Sequence, residues 1–371
     1  MNKRLPAKRP ATRPSANIRS VKAGMPKPGV ATKRRSAPVR RPFVIDFHSH
    51  VVVPEVMAFA KDHLVNRAIS DDPRIPEAAK LAARKWAETN RRKIADFQER
   101  LRDMDETGVD MQVLTPSMVH QCTSWASPED ALRMERLSND RLAEWVAIAP
   151  DRFVGLGGVP LQSAELAVRE LARCMGELGF RGVQVPSTAG GMELGDAKLR
   201  PFWAAAQNLG ATIYIHPSGE TSPRYENWQL WNSVGQPLEE AMAMASLWYE
   251  GVLDAFPQLK LCVAHGGGYL PFYAGRVDRN FIEKPTSRVN MKKSPSDYLR
   301  GHFWYDTCLY NIDMLEYLAQ KVGVERIVMG SDYPVGEADP VGFVRNARGL
   351  SAADKTAILG GNAAKLLGLS I

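Results

Sequence analysis

The sequence predicts an α/β protein, a (β/α)8 TIM barrel behind a disordered basic tail. Three observations predict it. Eight short apolar runs recur after residue 41, helical patterns separate them, and metal-capable side chains stand where several runs end. Eight βα units in 330 residues close a ring, because each crossover is right-handed. A doubly wound open sheet is the alternative.

The tail comes first. Residues 1–41 hold thirteen lysines and arginines, no acid, and prolines at 6, 10, 14, 26, 28 and 38. With few large apolar residues, the segment cannot offset its own ordering entropy, so disorder is expected. It lacks the continuous apolar stretch of a secretory signal. The whole chain of 371 residues carries a net charge of +7, but residues 42–371 carry −6. The basic balance therefore belongs to the tail and gives no argument for specific nucleic-acid binding by the body. No apolar run reaches the ~18 residues that a membrane span requires. Cys122, Cys174, Cys262 and Cys308 are far apart, without a C-x-x-C pair. That spacing suits a reducing, cytoplasmic setting rather than a disulfide framework.

In the body, 42–371, strands are predicted at 42–47, 109–115, 152–159, 180–185, 211–215, 259–264, 302–308 and 326–331. They are apolar on both faces, as strands buried in a parallel sheet are. The first helix, 91–107, sets Ile94, Phe97, Leu101 and Met104 on one stripe and stops at Gly108. The next, 128–148, opens on Ser127 as cap with Pro128 in its first turn. Helices at 163–178 and 196–209 open on Ser163 and Asp196 and end at Gly179 and Gly210. Others follow at 236–255, near 271–282, at 311–321, 351–358 and 361–367.

Barrel chemistry sits at the C-terminal ends of strands. The first strand ends His48-Ser49-His50, and residues i and i+2 of a strand point the same way. The fifth ends at His216, and the eighth runs out to Asp332. The sixth ends at His265, followed by three glycines that let the backbone turn sharply. Taken singly, each has a plainer reading: an ordinary polar pair, a core histidine, a helix-capping carboxylate. Together they place four of the seven histidines and one carboxylate at a single rim. Imidazoles plus a carboxylate suit one divalent metal, Zn2+ above all, with a position left for water.

These strings resemble the amidohydrolase superfamily, whose strand-end order is H-x-H, H, H, D. The closest resemblance is to its amidohydrolase-2 decarboxylase branch, typified by 2-amino-3-carboxymuconate-6-semialdehyde decarboxylase. The matching strings include VIDFHSHVVVPE, RLRDMDETGVDMQVLT, IYIHPSG, FPQLKLCVAHGGGYLPFYAGRVDR and VMGSDYPV. The resemblance implies a barrel of the metal-dependent hydrolase type, with His48, His50, His216 and Asp332 on one metal. It implies that His265 hydrogen-bonds the metal's water and acts as general base, then acid. It implies that Arg276, eleven residues after His265, reaches across a homodimer to grip a substrate carboxylate. A plainer reading of Arg276 is a helix-face arginine paired with Asp278 or Asp254. The fourth strand lacks the lysine of binuclear relatives and reads Gly182-Val183-Gln184-Val185, so one metal is expected.

The loops after the first and fifth strands depart from the decarboxylase type, which leaves the substrate open. Arg67, Arg84, Arg91 and Arg92 are candidates for a second carboxylate-binding arginine. Trp228 and Trp231 are candidates for a lid or for dimer packing. His120 reads as a polar loop residue, His302 as the far end of the seventh strand, and His63 as exposed. Cys262 and Cys308 read as inert core thiols.

The function expected is non-oxidative decarboxylation of an unsaturated or aromatic carboxylic acid. The alternatives are a hydrolase or hydratase acting on an amide, lactone, C–C bond or enol acid, and a non-enzymatic polyanion binder acting through the tail.

Overall fold

Eight parallel strands build the ring: β1 (Ile45–Val51), β2 (Met111–Pro116), β3 (Phe153–Gly155, continued as Gly157–Gly158), β4 (Gly182–Pro186), β5 (Thr212–His216), β6 (Lys260–Val263), β7 (Phe303–Asp306) and β8 (Ile327–Val328). The structure is a computed structural model and describes residues 41–63, 73–121, 123–219 and 222–371. The expected disorder of the tail, Arg67 and Cys122 lie outside the described residues.

Each strand pairs in parallel with its sequence neighbour. The first part of β3 pairs with β2 and its second part with β4, so β3 carries the bend between two sheet segments. The ring then closes. Phe47 N–H donates to Met329 O at 2.8 Å, and Tyr333 N–H donates to His48 O at 3.1 Å. An open sheet has no such contact between its first and last strands, so the doubly wound alternative falls.

Strand alternation sorts the core into two. Ile213, Ile215, Leu261 and Val263 face the outer helices, whereas Met111, Val113, Tyr214 and Cys262 fill the barrel. Leu366 and Leu367 of the C-terminal helix Asn362–Leu367 join the inner set.

The helices follow the predicted pattern with three corrections. The helix expected over 91–107 is two, Glu77–Ala95 and Phe97–Thr107. Asp96 breaks them: its backbone is extended and its carboxylate accepts the Glu99 N–H. The helix expected over 236–255 breaks at Gly251, where φ is +69°, into Gln236–Tyr249 and Val252–Ala255. His302 ends the helix Pro295–His302 rather than starting β7. No helix among the described residues is long and apolar enough to cross a membrane.

Candidate metal centre and active site

Strand β1 delivers two imidazoles through a bulge. Its pairing with β2 runs from Asp46↔Gln112 to Ser49↔Leu114, so Phe47 and His48 stand opposite Val113 alone. Phe47 and His48 consequently both reach Tyr214, with ring centroids 5.4 and 5.3 Å away. Two residues on, His50 packs edge-on against His216 at 4.7 Å.

The five polar residues expected at the rim converge. His48, His216, His265 and Asp332 form a group whose nitrogen and oxygen atoms lie within 4.8 Å of one another. His50 joins through Nε2, 3.0 Å from His48 Nε2 and 3.1 Å from Asp332 Oδ1. His48 Nε2 lies 3.2 Å from the same Oδ1. His265 Nε2 faces the other oxygen, Oδ2, at 3.8 Å.

Hydrogen bonds on the far side of each ring assign the tautomers. His48 Nδ1 donates to Asp306 Oδ2 at 2.8 Å. His50 Nδ1 meets Thr115 Oγ1 at 3.0 Å. Thr115 spends its own proton on Ser49 O, so it accepts from His50. His216 Nδ1 donates to Pro217 O at 2.9 Å, and its buried Nε2 has no hydrogen-bond partner among the described residues. The Nε2 atoms of His48 and His50 thus face one carboxylate oxygen, and the orphaned, buried Nε2 of His216 belongs to the same cluster. That is the donor set of a mononuclear divalent metal site, with each ring oriented from behind.

The electrostatics favour a cation. Burial opposes positive charge on His48, but the Asp332 and Asp306 carboxylates overcome it and raise its pKa to about 9. Burial would raise the Asp332 carboxyl, yet charge on His48 and the close approach of the His265, His48 and His50 rings hold it well below the usual range. Burial pushes His50 down to about 4 and His216 well below its ordinary value, keeping both neutral and ready to coordinate.

Several contributing residues are not among the candidates that the sequence singles out. Asp306 ends β7; Tyr214 O–H donates to the same Oδ2 that His48 engages, and Oδ1 accepts the Gly266 and Cys308 N–H groups. Asp46 accepts from Ser331 N, Ser331 Oγ and Gln112 Nε2, tying β1 to the segment before Asp332. Arg100, fully buried, donates to His50 O and lies over the Tyr333 ring at 4.5 Å. Glu240, on the helix Gln236–Tyr249, meets His265 Nδ1. A strand-end carboxylate was a usable signal for Asp306; nothing in the sequence marked Glu240.

Other candidates lie elsewhere. Arg276 is exposed on the helix Leu270–Glu283 and is not among the converging side chains. The pairing considered for it is not formed: Asp278 accepts from Ser296, and Asp254 from Tyr298 and Lys292. Arg92 pairs with Glu99 at 2.9 Å, and Arg84 and Arg91 are exposed. Trp228 is exposed with the Arg74 guanidinium 4.9 Å from its ring, while Trp231 is half-buried. His120 is buried between Glu135 and Ser138, each at 2.7 Å. His63 stacks on Trp125 at 3.9 Å. Cys174, Cys262 and Cys308 are buried free thiols. Gln184 occupies β4 and donates to Pro116 O.

A closed (β/α)8 ring with this His/Asp set defines a mononuclear metal enzyme. The sequence model of the amidohydrolase family matches residues 45–369, and the chain belongs to that family. A 2-amino-3-carboxymuconate-6-semialdehyde decarboxylase of Dictyostelium discoideum is 36% identical over 281 residues, 74% of this chain and 77% of the relative. A gamma-resorcylate decarboxylase of Polaromonas sp. (strain JS666) is 32% identical, over 77% of this chain and 91% of the relative. The crystal structure of a dihydroxybenzoic acid decarboxylase from Polaromonas sp. JS666, with manganese and 2-nitroresorcinol bound, superposes with a TM-score of 0.76 at 28% identity. That match covers 88% of this chain and 97% of the other.

Proposed function

We propose that this chain is a carboxy-lyase, a metal-dependent, non-oxidative decarboxylase of an unsaturated or aromatic carboxylic acid. The observation that carries the reading is the cluster itself: His48 and His50 Nε2 on one oxygen of Asp332, His265 on its far oxygen, and the unpartnered Nε2 of His216 in the same group. The activities of the decarboxylase relatives support it.

In this reading His48, His50, His216 and Asp332 hold one ion. His265 stands outside the set, because His48 and His50 share Oδ1 while His265 faces Oδ2. Three imidazoles and a carboxylate favour Zn2+; manganese is the rival occupant, on the precedent of the Polaromonas structure. The ion supplies Lewis acidity and acidifies water at the site. His265 Nε2 would take up one proton and give it to the substrate carbon as the C–C bond to CO2 breaks, that bond's electron pair staying on the carbon, CO2 leaving and solvent replacing the proton spent. Asp332 balances the cation's charge and orients the His265 ring.

Arg276 is assigned the substrate carboxylate, acting across a homodimer. Its exposure and the prior commitments of Asp278 and Asp254 leave its guanidinium available to a partner. Three buried free thiols accord with a reducing cytoplasm. The acid-free tail, residues 1–41, is assigned to no part of the catalysis.

Product analysis tests the reading. The full chain is incubated with 2-amino-3-carboxymuconate-6-semialdehyde and with 2,6-dihydroxybenzoate, and the products are weighed by mass spectrometry. Loss of one CO2 from either supports the proposal. A product heavier by one water, with the carboxyl retained, replaces it with hydration.

A further inference from the structure

One buried carboxylate at the site has a single partner. Glu240 is fully buried, its Oε1 meets His265 Nδ1, and its Oε2 has no hydrogen-bond partner among the described residues. A carboxylate sealed from water without full pairing is costly, so its placement needs a compensating role.

The backbone is shaped around it. Gly268 sits at φ +61°, and a Cβ there would lie 2.3 Å from Pro237 O and 2.8 Å from Glu240 Oε2. Any side chain at 268 would therefore displace the first turn of the helix that carries Glu240. His265 itself holds φ +49°, a left-handed conformation unusual for a residue with a side chain. The strained histidine and the glycine three residues on together bring the ring and the carboxylate into contact, although 25 positions separate them.

We propose that Glu240 is the positioning residue of the acid/base. By accepting the Nδ1–H of His265, it holds the tautomer whose Nε2 lone pair faces Asp332 and the metal site. The inference rests on the reading of His265 as the acid/base. Without Glu240, the imidazole can carry its proton on Nε2, aimed at the site, where it cannot serve as a base. Glu240 touches neither the metal ligands nor the reacting atoms; it acts through His265.

The test uses the full metal-loaded chain, labelled with 15N-histidine, with His265→Asn assigning the His265 signals. The wild type should show the Nδ1–H tautomer. Glu240→Ala should keep its metal, lose that tautomer, and drop kcat by about 10²-fold with KM little changed. Glu240→Gln keeps an acceptor oxygen and should recover most of both readouts. Gly268→Ala should reproduce the Glu240→Ala tautomer change without altering either residue, and it decides the question if Glu240→Ala does not fold. Retention of the Nδ1–H tautomer in Glu240→Ala or Gly268→Ala overturns the proposal, as does a kcat within threefold of wild type in an active enzyme. If the wild type decarboxylates nothing, the functional reading fails, while the tautomer measurement still decides the role of Glu240.

Discussion

His48 Nδ1 donates to Asp306 Oδ2 across 2.8 Å, with both side chains sealed from solvent. The pair spans the barrel closure, from β1 to β7. Asp306 is itself held by Tyr214 O–H and by the Gly266 and Cys308 N–H groups, so His48 is aimed by a carboxylate that cannot move. Asp306→Asn keeps the shape and removes the charge. Metal affinity should fall by about 10–100-fold in a competitive chelator titration. Wild-type affinity would show that His48 needs no charged partner.

The ligand set and the acid/base should separate cleanly. His48→Ala and Asp332→Ala should purify with well below one metal per chain. His265→Ala should retain its metal and lose about 10²–10⁴ in kcat. Full metal in both ligand variants contradicts the assignment, and near wild-type turnover in His265→Ala contradicts the role of that residue.

The rim was legible because strand chemistry is local. His216 ends β5, His265 follows β6 by two residues, and Asp332 lies just beyond β8, where barrel function concentrates. The spacing of the H-x-H pair puts both imidazoles on one face, but the bulge that turns that face inward leaves no mark in the sequence. Without it, Phe47 and His48 would point to opposite sides. Glu240 escaped notice because helix packing, not strand parity, brings it to His265. The break at Asp96 was hidden because the apolar period runs through it: Ile94 and Met104 are both buried, one from each helix.

Arg276 gives the oligomer a functional test. His265→Ala and Arg276→Ala subunits, each inactive alone, are mixed and exchanged. Heterodimers should recover part of the wild-type rate, because one of their two sites is intact. No recovery in verified heterodimers returns Arg276 to an ordinary surface role.

Stability should respond to acid through His302. It is buried, its Nδ1 has no hydrogen-bond partner among the described residues, and Lys293 Nζ lies 3.2 Å from Nε2. Burial, reinforced by the Lys293 charge, lowers its pKa from 6.5 to about 4. Between those values the unfolded chain binds a proton that the native chain refuses. Stability is therefore complete above about pH 6.5 and declines as pH falls toward 4, by on the order of 1–2 kcal/mol. Urea midpoints at pH 7.5 and pH 5 should converge in His302→Gln relative to wild type. An equal drop in both proteins removes His302 from the account.

The most direct test of the central claim is the stoichiometry with which a divalent metal restores CO2 release to the chelator-stripped chain. The stripped protein should release no CO2, and release should recover linearly with added metal until it saturates at one ion per chain. Full CO2 release without metal, or saturation only at two ions, would contradict that claim.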